Sequence, residues 1–206
     1  MLKVLGRLTS VNVMKVMWCI DELGIAHERT DIGGPFGGNK EPAYLAKNPN
    51  GLVPTIDDDG FVLWESNACV RYIASKHGAG SLWPTDPKVR GDADRWMDWQ
   101  LTTLSAPSAV IFWGLIRTKP EDRDMKAIGE AANKLNELYA VLDKALAGRK
   151  FVAGDQLTIG DIPIGAQTFR WFNLPVERAR LPNVEAWFAR LSERPAYKKN
   201  CMNPLV

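Results

Sequence analysis

The feature that most narrows the folds open to this chain is a change of pattern at Gly78-Ala79-Gly80-Ser81-Leu82-Trp83-Pro84-Thr85-Asp86-Pro87. Strand and helix signals alternate before this breaker-rich segment, and no convincing strand pattern follows it. Such a stretch is where one packed unit hands over to another. Upstream, residues 2–5 read as a short strand ended by Gly6. Val13, Val16, Met17, Ile20 and Leu23 then recur at the 3-4 spacing of a helix face, and Gly24 stops that helix. A polar strand candidate, residues 27–32, leads into a glycine-rich loop. Residues 53–56 and 61–64 flank Asp57-Asp58-Asp59-Gly60, a hairpin signal with a loop longer than the minimal two residues. Ala68, Val70, Tyr72, Ile73 and Ala74 supply the apolar side of the next helix. The order βαβ, loop, ββα predicts a small α/β layer structure. Downstream, helices are expected over 89–118, 121–146, 159–172 and 184–191, with a kink at Pro107. Thr158-Ile159-Gly160-Asp161 reads as a capping box, with Leu157 and Ile162 placed to form its hydrophobic staple. The expected units are therefore residues 1–80, a linker over 81–88, and an all-helical domain over 89–206.

Composition removes several classes of function. The 206 residues carry 26 Lys and Arg against 24 Asp and Glu, a net charge of +2. With no long basic run, a nucleic-acid partner is not expected. The longest nearly uncharged apolar stretch, 106–116, falls short of the ~20 residues that cross a bilayer, and the N-terminus lacks the apolar core of a signal peptide. Cys19, Cys69 and Cys201 are odd in number and in no CxxC arrangement, so a reduced, cytoplasmic protein is expected. The two histidines, His27 and His77, belong to no HExxH or Cys/His cluster, so no metal is expected, and no GxSxG elbow accompanies them. Gly33 and Gly38 have the spacing of a phosphate loop, but Asn39 stands where lysine is required and no Ser or Thr follows Lys40. That stretch is not read as a nucleotide site.

Three segments carry a more specific signal. They are Gly6-Arg7-Leu8-Thr9-Ser10-Val11-Asn12-Val13-Met14-Lys15-Val16 with Leu23-Gly24-Ile25, then Asn48-Pro49-Asn50-Gly51-Leu52-Val53-Pro54, then Leu63-Trp64-Glu65-Ser66-Asn67-Ala68. In this order, and with the capping box near 158–161, the chain resembles the soluble glutathione transferases over nearly its whole length. The resemblance implies a thioredoxin-like α/β N-terminal domain that binds glutathione, followed by an all-α C-terminal domain that holds a small hydrophobic electrophile. It also implies a homodimer, and glutathione as co-substrate with no further cofactor. The start is most similar to the serine-type enzymes, the theta, delta and phi-like classes, in which a Ser hydroxyl after the first strand donates a hydrogen bond to the glutathione sulfur. Ser10 falls at that position.

The chemistry such a residue must perform can be sized. A thiol of ordinary pKa, about 8.5, is mostly protonated at neutral pH, and only its thiolate attacks an electrophile well. Lowering that pKa by two units takes roughly 2.7 kcal/mol of extra thiolate stabilisation. A hydrogen bond to a charged group gives about 1.5–3 kcal/mol, and a helix N-terminus about 0.3–2. Ser10 at the mouth of the Val13 helix can supply both. Read from the residues alone, Ser10 or Asn12 is as well explained as a helix cap, and Thr9 and Asn12 remain alternatives for the activating role. Asn12 departs from relatives that have Pro or Ala there. No tyrosine precedes Tyr44, and Cys19 lies inside the helix as a small buried hydrophobe.

The resemblance assigns the remaining positions. Val53-Pro54 matches a cis-proline turn whose Val53 backbone pairs with the cysteinyl part of glutathione like an added strand. Glu65 and Ser66 open a helix whose N-terminus takes the γ-glutamyl carboxylate, with Glu65 near its ammonium. Asn39 and Lys40 align with a His-Lys pair that contacts the glycyl carboxylate, and Leu52 stands where relatives often have Gln. Trp99, Thr103, Pro107, Phe112, Trp113 and Arg117 are candidates for the electrophile pocket, with Phe112 and Trp113 foremost, while Trp171 and Trp187 read as core. Three alternatives stand beside conjugation. They are a non-catalytic binding or scaffold protein, a glutathione-dependent peroxidase or isomerase, and a thiol–disulfide oxidoreductase. The maleylacetoacetate isomerases carry a Ser-Ser-Cys run absent here, and an oxidoreductase would need Cys at Thr9 or Ser10.

Overall fold

The computed structural model describes residues 1–206. Its first part is a four-stranded sheet with helices on its faces. Strand β1 (Leu2–Leu5) is followed by α1 (Val11–Glu22), β2 (His27–Thr30), the short helix α2 (Pro42–Leu45), the hairpin β3 (Thr55–Asp58) and β4 (Phe61–Trp64), and α3 (Ser66–His77). The sheet order is β2-β1-β3-β4. Strand β1 runs parallel to β2, with Leu2 opposite His27, and antiparallel to β3, with Leu5 opposite Thr55. Helix α1 forms the crossover between the parallel strands β1 and β2. The cis Val53–Pro54 peptide immediately precedes β3. The strand expected at 53–56 therefore starts two residues later, because Val53 and Pro54 form the turn rather than the ladder.

Six further helices complete the chain. They are α4 (Pro87–Trp99), α5 (Ser105–Phe112), α6 (Met125–Leu146), α7 (Asp161–Asn173), α8 (Pro182–Glu193) and α9 (Pro195–Cys201), with wide π-type turns over Gln100–Leu104 and Trp113–Arg117 that join α4 and α5 and extend α5. Helix α4 starts at Pro87, inside the expected linker. Its cap explains the earlier start: Asp86 accepts from the Lys88 amide and Pro87 occupies the first turn. The kink expected at Pro107 takes the form of the wide turn one turn earlier. There the Ser105 hydroxyl donates to the Gln100 carbonyl at 3.0 Å.

Helix α1 is what joins the two halves. Every residue from Val13 to Ile20 is buried, because the helix packs against α3 and against α7 and α9. This explains why its apolar pattern is continuous rather than one-sided. Trp18 meets Tyr197 edge-on at 4.7 Å between ring centroids, and it lies directly over Gly165 of α7. One hydrophobic cluster consequently runs from Leu2 and Val4 of the sheet to Trp187 and Leu191 of α8. No helix is long and apolar enough to cross a membrane.

Candidate functional site

The site forms where β1 ends and α1 begins. Gly6 lets three elements meet there: a Cβ at that position would lie 2.6 Å from Val13 and 3.2 Å from the Val53 side chain. Ser10 is the N-cap of α1, with extended backbone. Its amide donates to the Arg7 carbonyl at 3.1 Å, and its carbonyl accepts from Met14 at 2.9 Å. Its hydroxyl makes no capping bond. The hydroxyl is thus left for another partner at a point where the first amides of α1 are also open.

The loop before β3 is built to present Val53. Asn48, 2% exposed, donates from its amide to the Leu52 carbonyl at 2.8 Å and to the Thr55 hydroxyl at 3.1 Å. The Tyr44 hydroxyl reaches the same two groups at 2.6 and 2.9 Å. Asn39 donates to the Gly51 carbonyl at 2.7 Å, and Lys40 packs over Gly51, where a Cβ would fall 2.7 Å from its Nζ. Gly51 has φ 59°, so both its conformation and its surroundings exclude a side chain. Asn39 is therefore spent on bracing the loop, whereas the exposed Lys40 ammonium is unpaired. Val53 itself takes part in no backbone hydrogen bond, so its N–H and C=O are left open.

Glu65 and Ser66 stand at the start of α3. Glu65 is exposed and has φ 70°, a left-handed conformation that costs a non-glycine residue about 1–3 kcal/mol. Ser66 is 7% exposed, and its hydroxyl donates to Asn12 Oδ1 at 3.4 Å. Asn12 thereby spans the openings of α1 and α3. Ser10, Asn12, Val53, Pro54, Glu65 and Ser66 are thus gathered around two helix N-termini and the unpaired Val53 backbone, with Lys40 on the adjoining loop.

Sequence reasoning missed Lys15. It is 1% exposed, and its ammonium donates to Gln100 Oε1 at 3.0 Å, Asn67 Oδ1 at 3.4 Å and Ser66 Oγ at 3.5 Å. Burial pushes it down to about 7, against the pull of the Glu65 carboxylate and with the repulsion of Arg170. A lysine inside the run Val13-Met14-Lys15-Val16-Met17-Trp18 was the available signal. Through Gln100 the polar network continues to Ser105 Oγ at 2.8 Å and Gln167 Oε1 at 2.7 Å.

Beyond this network opens a cavity of about 220 Å3, bounded by Val11 and Asn12 of α1, Phe112 of α5 and Trp113 of its extension, and Gln167 and Arg170 of α7. The two foremost candidates for the electrophile pocket both line it. Trp99, Thr103, Pro107 and Arg117 do not, and Trp99 instead faces a separate hollow with Trp96 and Val141. Trp171, expected as core, is 3% exposed and also contributes to the cavity wall. Arg170 and Arg7 were not anticipated. Arg170 donates to the Thr9 carbonyl at 2.8 Å, beside Ser10, and its guanidinium lies 4.0 Å from the Phe112 ring centroid. Burial, then repulsion from Arg117 and Arg7, pushes Arg170 down to about 10.

The cysteines stand apart from all of this. Cys19, Cys69 and Cys201 are free and buried, and burial pushes each thiol up, Cys69 to about 12. No cluster of three or more His, Cys, Asp or Glu side chains is placed to hold a metal ion.

This geometry agrees with the chain's similarity to known proteins. Residues 9–76 match the family described as glutathione S-transferase, N-terminal domain, and residues 96–195 match glutathione S-transferase, C-terminal domain. Glutathione S-transferase GstB of Escherichia coli (strain K12) is 42% identical over 207 residues, covering all of both chains. Glutathione S-transferase D7 of Drosophila melanogaster is 34% identical over 184 residues, 86% of this chain and 79% of that one. Among solved structures, the theta class glutathione S-transferase of Xanthomonas axonopodis pv. citri with glutathione bound superposes with a TM-score of 0.96. It is 44% identical, and the match covers 100% of this chain and 99% of that one.

Proposed function

The chain belongs to the glutathione S-transferase family and is a glutathione transferase, and from that premise we propose that Ser10 activates the thiol. Its hydroxyl donates to the glutathione sulfur and, with the open amides of α1, favours the thiolate. The thiolate then attacks the carbon of a small electrophile held against Phe112 and Trp113. The observation that carries this reading is the Ser10 hydroxyl, left without a capping bond at the mouth of α1 and beside the cavity.

Glutathione lies along the unpaired Val53 backbone just before β3. Its cysteinyl backbone pairs with Val53, its γ-glutamyl carboxylate takes the α3 amides and the Ser66 hydroxyl, and Glu65 meets its ammonium. Lys40 serves the glycyl carboxylate as a point charge, with Asn39 holding the loop beneath it. Asn12 orients the two helix openings relative to each other, and Lys15 braces Ser66 from below. In this reading residues 1–80 bind glutathione, residues 89–206 bind the electrophile, and 81–88 link them. The family supports a homodimer working in the cytoplasm, with no cofactor beyond the co-substrate.

Replacing Ser10 by Ala tests the assignment. The loss of one hydrogen bond to a charged sulfur corresponds to roughly 10- to 100-fold in kcat/KM. Glutathione affinity, carried by the other contacts, should change little. Unchanged turnover in Ser10→Ala would move the role to Thr9 or Asn12.

A further inference from the structure

Three guanidiniums converge beside the Ser10 end of α1, and no carboxylate meets them. Arg170 reaches from α7 across the Phe112 ring, and its one hydrogen bond runs from Nη2 to the Thr9 carbonyl. Arg7 lies against the Gly33–Gly34 turn, where a Cβ on Gly33 would sit 3.2 Å from its Nη1. The Nε atoms of both Arg7 and Arg170 are buried without a partner. Arg117, exposed at the end of the α5 extension, looks onto the same Phe112 ring from 5.9 Å, and its charge disfavours protonation of both other arginines. No Asp or Glu lines the cavity. Gln167, whose Oε1 is taken by Gln100, also lines the cavity.

A desolvated guanidinium without a counter-charge is costly. The cost is relieved by an anion that accepts from it in the fork geometry suited to carboxylates. Lys15 cannot play this part, since it is sealed and its ammonium is committed to Gln100, Asn67 and Ser66. We propose that the cavity selects electrophiles that carry a carboxylate, with the acid meeting Arg170 and Gln167 and the apolar body lying along Trp113. This rests on the glutathione-transferase reading and names the substrate class of that same site. In the reaction the sulfur–carbon bond forms as the leaving group departs with its bonding pair, and the carboxylate is a handle that is not consumed.

The test uses two matched products, the glutathione conjugates of 4-chloro-3-nitrobenzoate and of 4-chloro-3-nitrobenzamide. They share the glutathione part and nearly the same shape, and differ in charge at one end. Titrated by tryptophan fluorescence quenching at fixed ionic strength, the carboxylate conjugate is expected to bind about tenfold or more tighter than the amide. In Arg170→Gln the preference should fall to roughly twofold or less, while Arg170→Lys restores part of it. Because the preference is a ratio within each variant, a general loss of affinity leaves it readable. Equal affinities in the wild-type protein, or a preference untouched in Arg170→Gln, would overturn the proposal. Binding of glutathione alone, with neither conjugate bound, overturns it while sparing the transferase reading. No binding of glutathione or either conjugate overturns both.

Discussion

Lys15 places a charge on a helix whose other residues from Val13 to Ile20 are nearly all apolar, and all of them are buried. Held down to about 7, it binds fewer protons in the folded chain than in the unfolded one between that value and its ordinary 10.5. Stability therefore rises with pH across this window, and below about 7 the penalty for the buried charge is present in full. Lys15→Met removes that dependence. Subtracting its unfolding free energy from that of the wild-type protein should leave a difference that climbs by up to about 1.4 kcal/mol per pH unit between pH 7 and 10. A flat difference in denaturant titrations would mean that the ammonium is not strained by burial. At this scale sequence was a partial guide. The places of Ser10, Val53 and Ser66 in the fold were legible because each lies in a local pattern, a cap or a turn. Lys15 and Arg170 were not, because their partners Ser66 and Thr9 lie 51 and 161 positions away, and no spacing rule brings them together.

The capping segment before α7 shows how an element can be legible in kind and altered in detail. Thr158 and Asp161 do pair, but Asp161, 0% exposed, accepts from four donors. They are the Val152 amide at 3.0 Å, the Thr158 amide at 2.9 Å, the Thr158 hydroxyl at 3.2 Å and Trp187 Nε1 at 2.9 Å. The box thus spends the Thr158 hydroxyl on the carboxylate rather than on a backbone amide, and it ties α7 to α8 through Trp187. Asp161→Ala leaves these donors buried and unpaired, at about 1–3 kcal/mol for each that finds no substitute. The expected result is a loss of about 3 kcal/mol or more in chemical denaturation, with Asp161→Asn milder. A loss under 1 kcal/mol would show that water enters and replaces the carboxylate. The elements found at the expected places, from β1 to α8, have strong apolar periods or breakers. Helices α2 and α9, of four and seven residues, were missed because neither is long enough to establish a period. Each opens on a proline, Pro42 and Pro195, which is the only local sign of its start.

Across the whole molecule, α1 belongs to both halves, so the domains that look separable in sequence share one core. A Cβ on Gly165 would lie 2.9 Å from the Trp18 ring and 2.7 Å from Leu191. Gly165→Ala is therefore expected to cost about 1–3 kcal/mol by overpacking. It should lower the midpoints of far-ultraviolet circular dichroism and tryptophan fluorescence together. Two separated transitions would contradict the shared core. The same joining of halves assembles the candidate site: the Ser10 hydroxyl comes from the α/β part, while Arg170 and most of the cavity wall come from the helical part. What this assembly is held to do is lower the pKa of a bound thiol, and thiolate absorbance reads that directly. Glutathione bound to the wild-type protein should titrate well below the ordinary thiol value of about 8.5, and Ser10→Ala should raise that midpoint by roughly one to two units. A midpoint on the wild-type protein equal to that of free glutathione, or one unmoved in Ser10→Ala, would contradict the account.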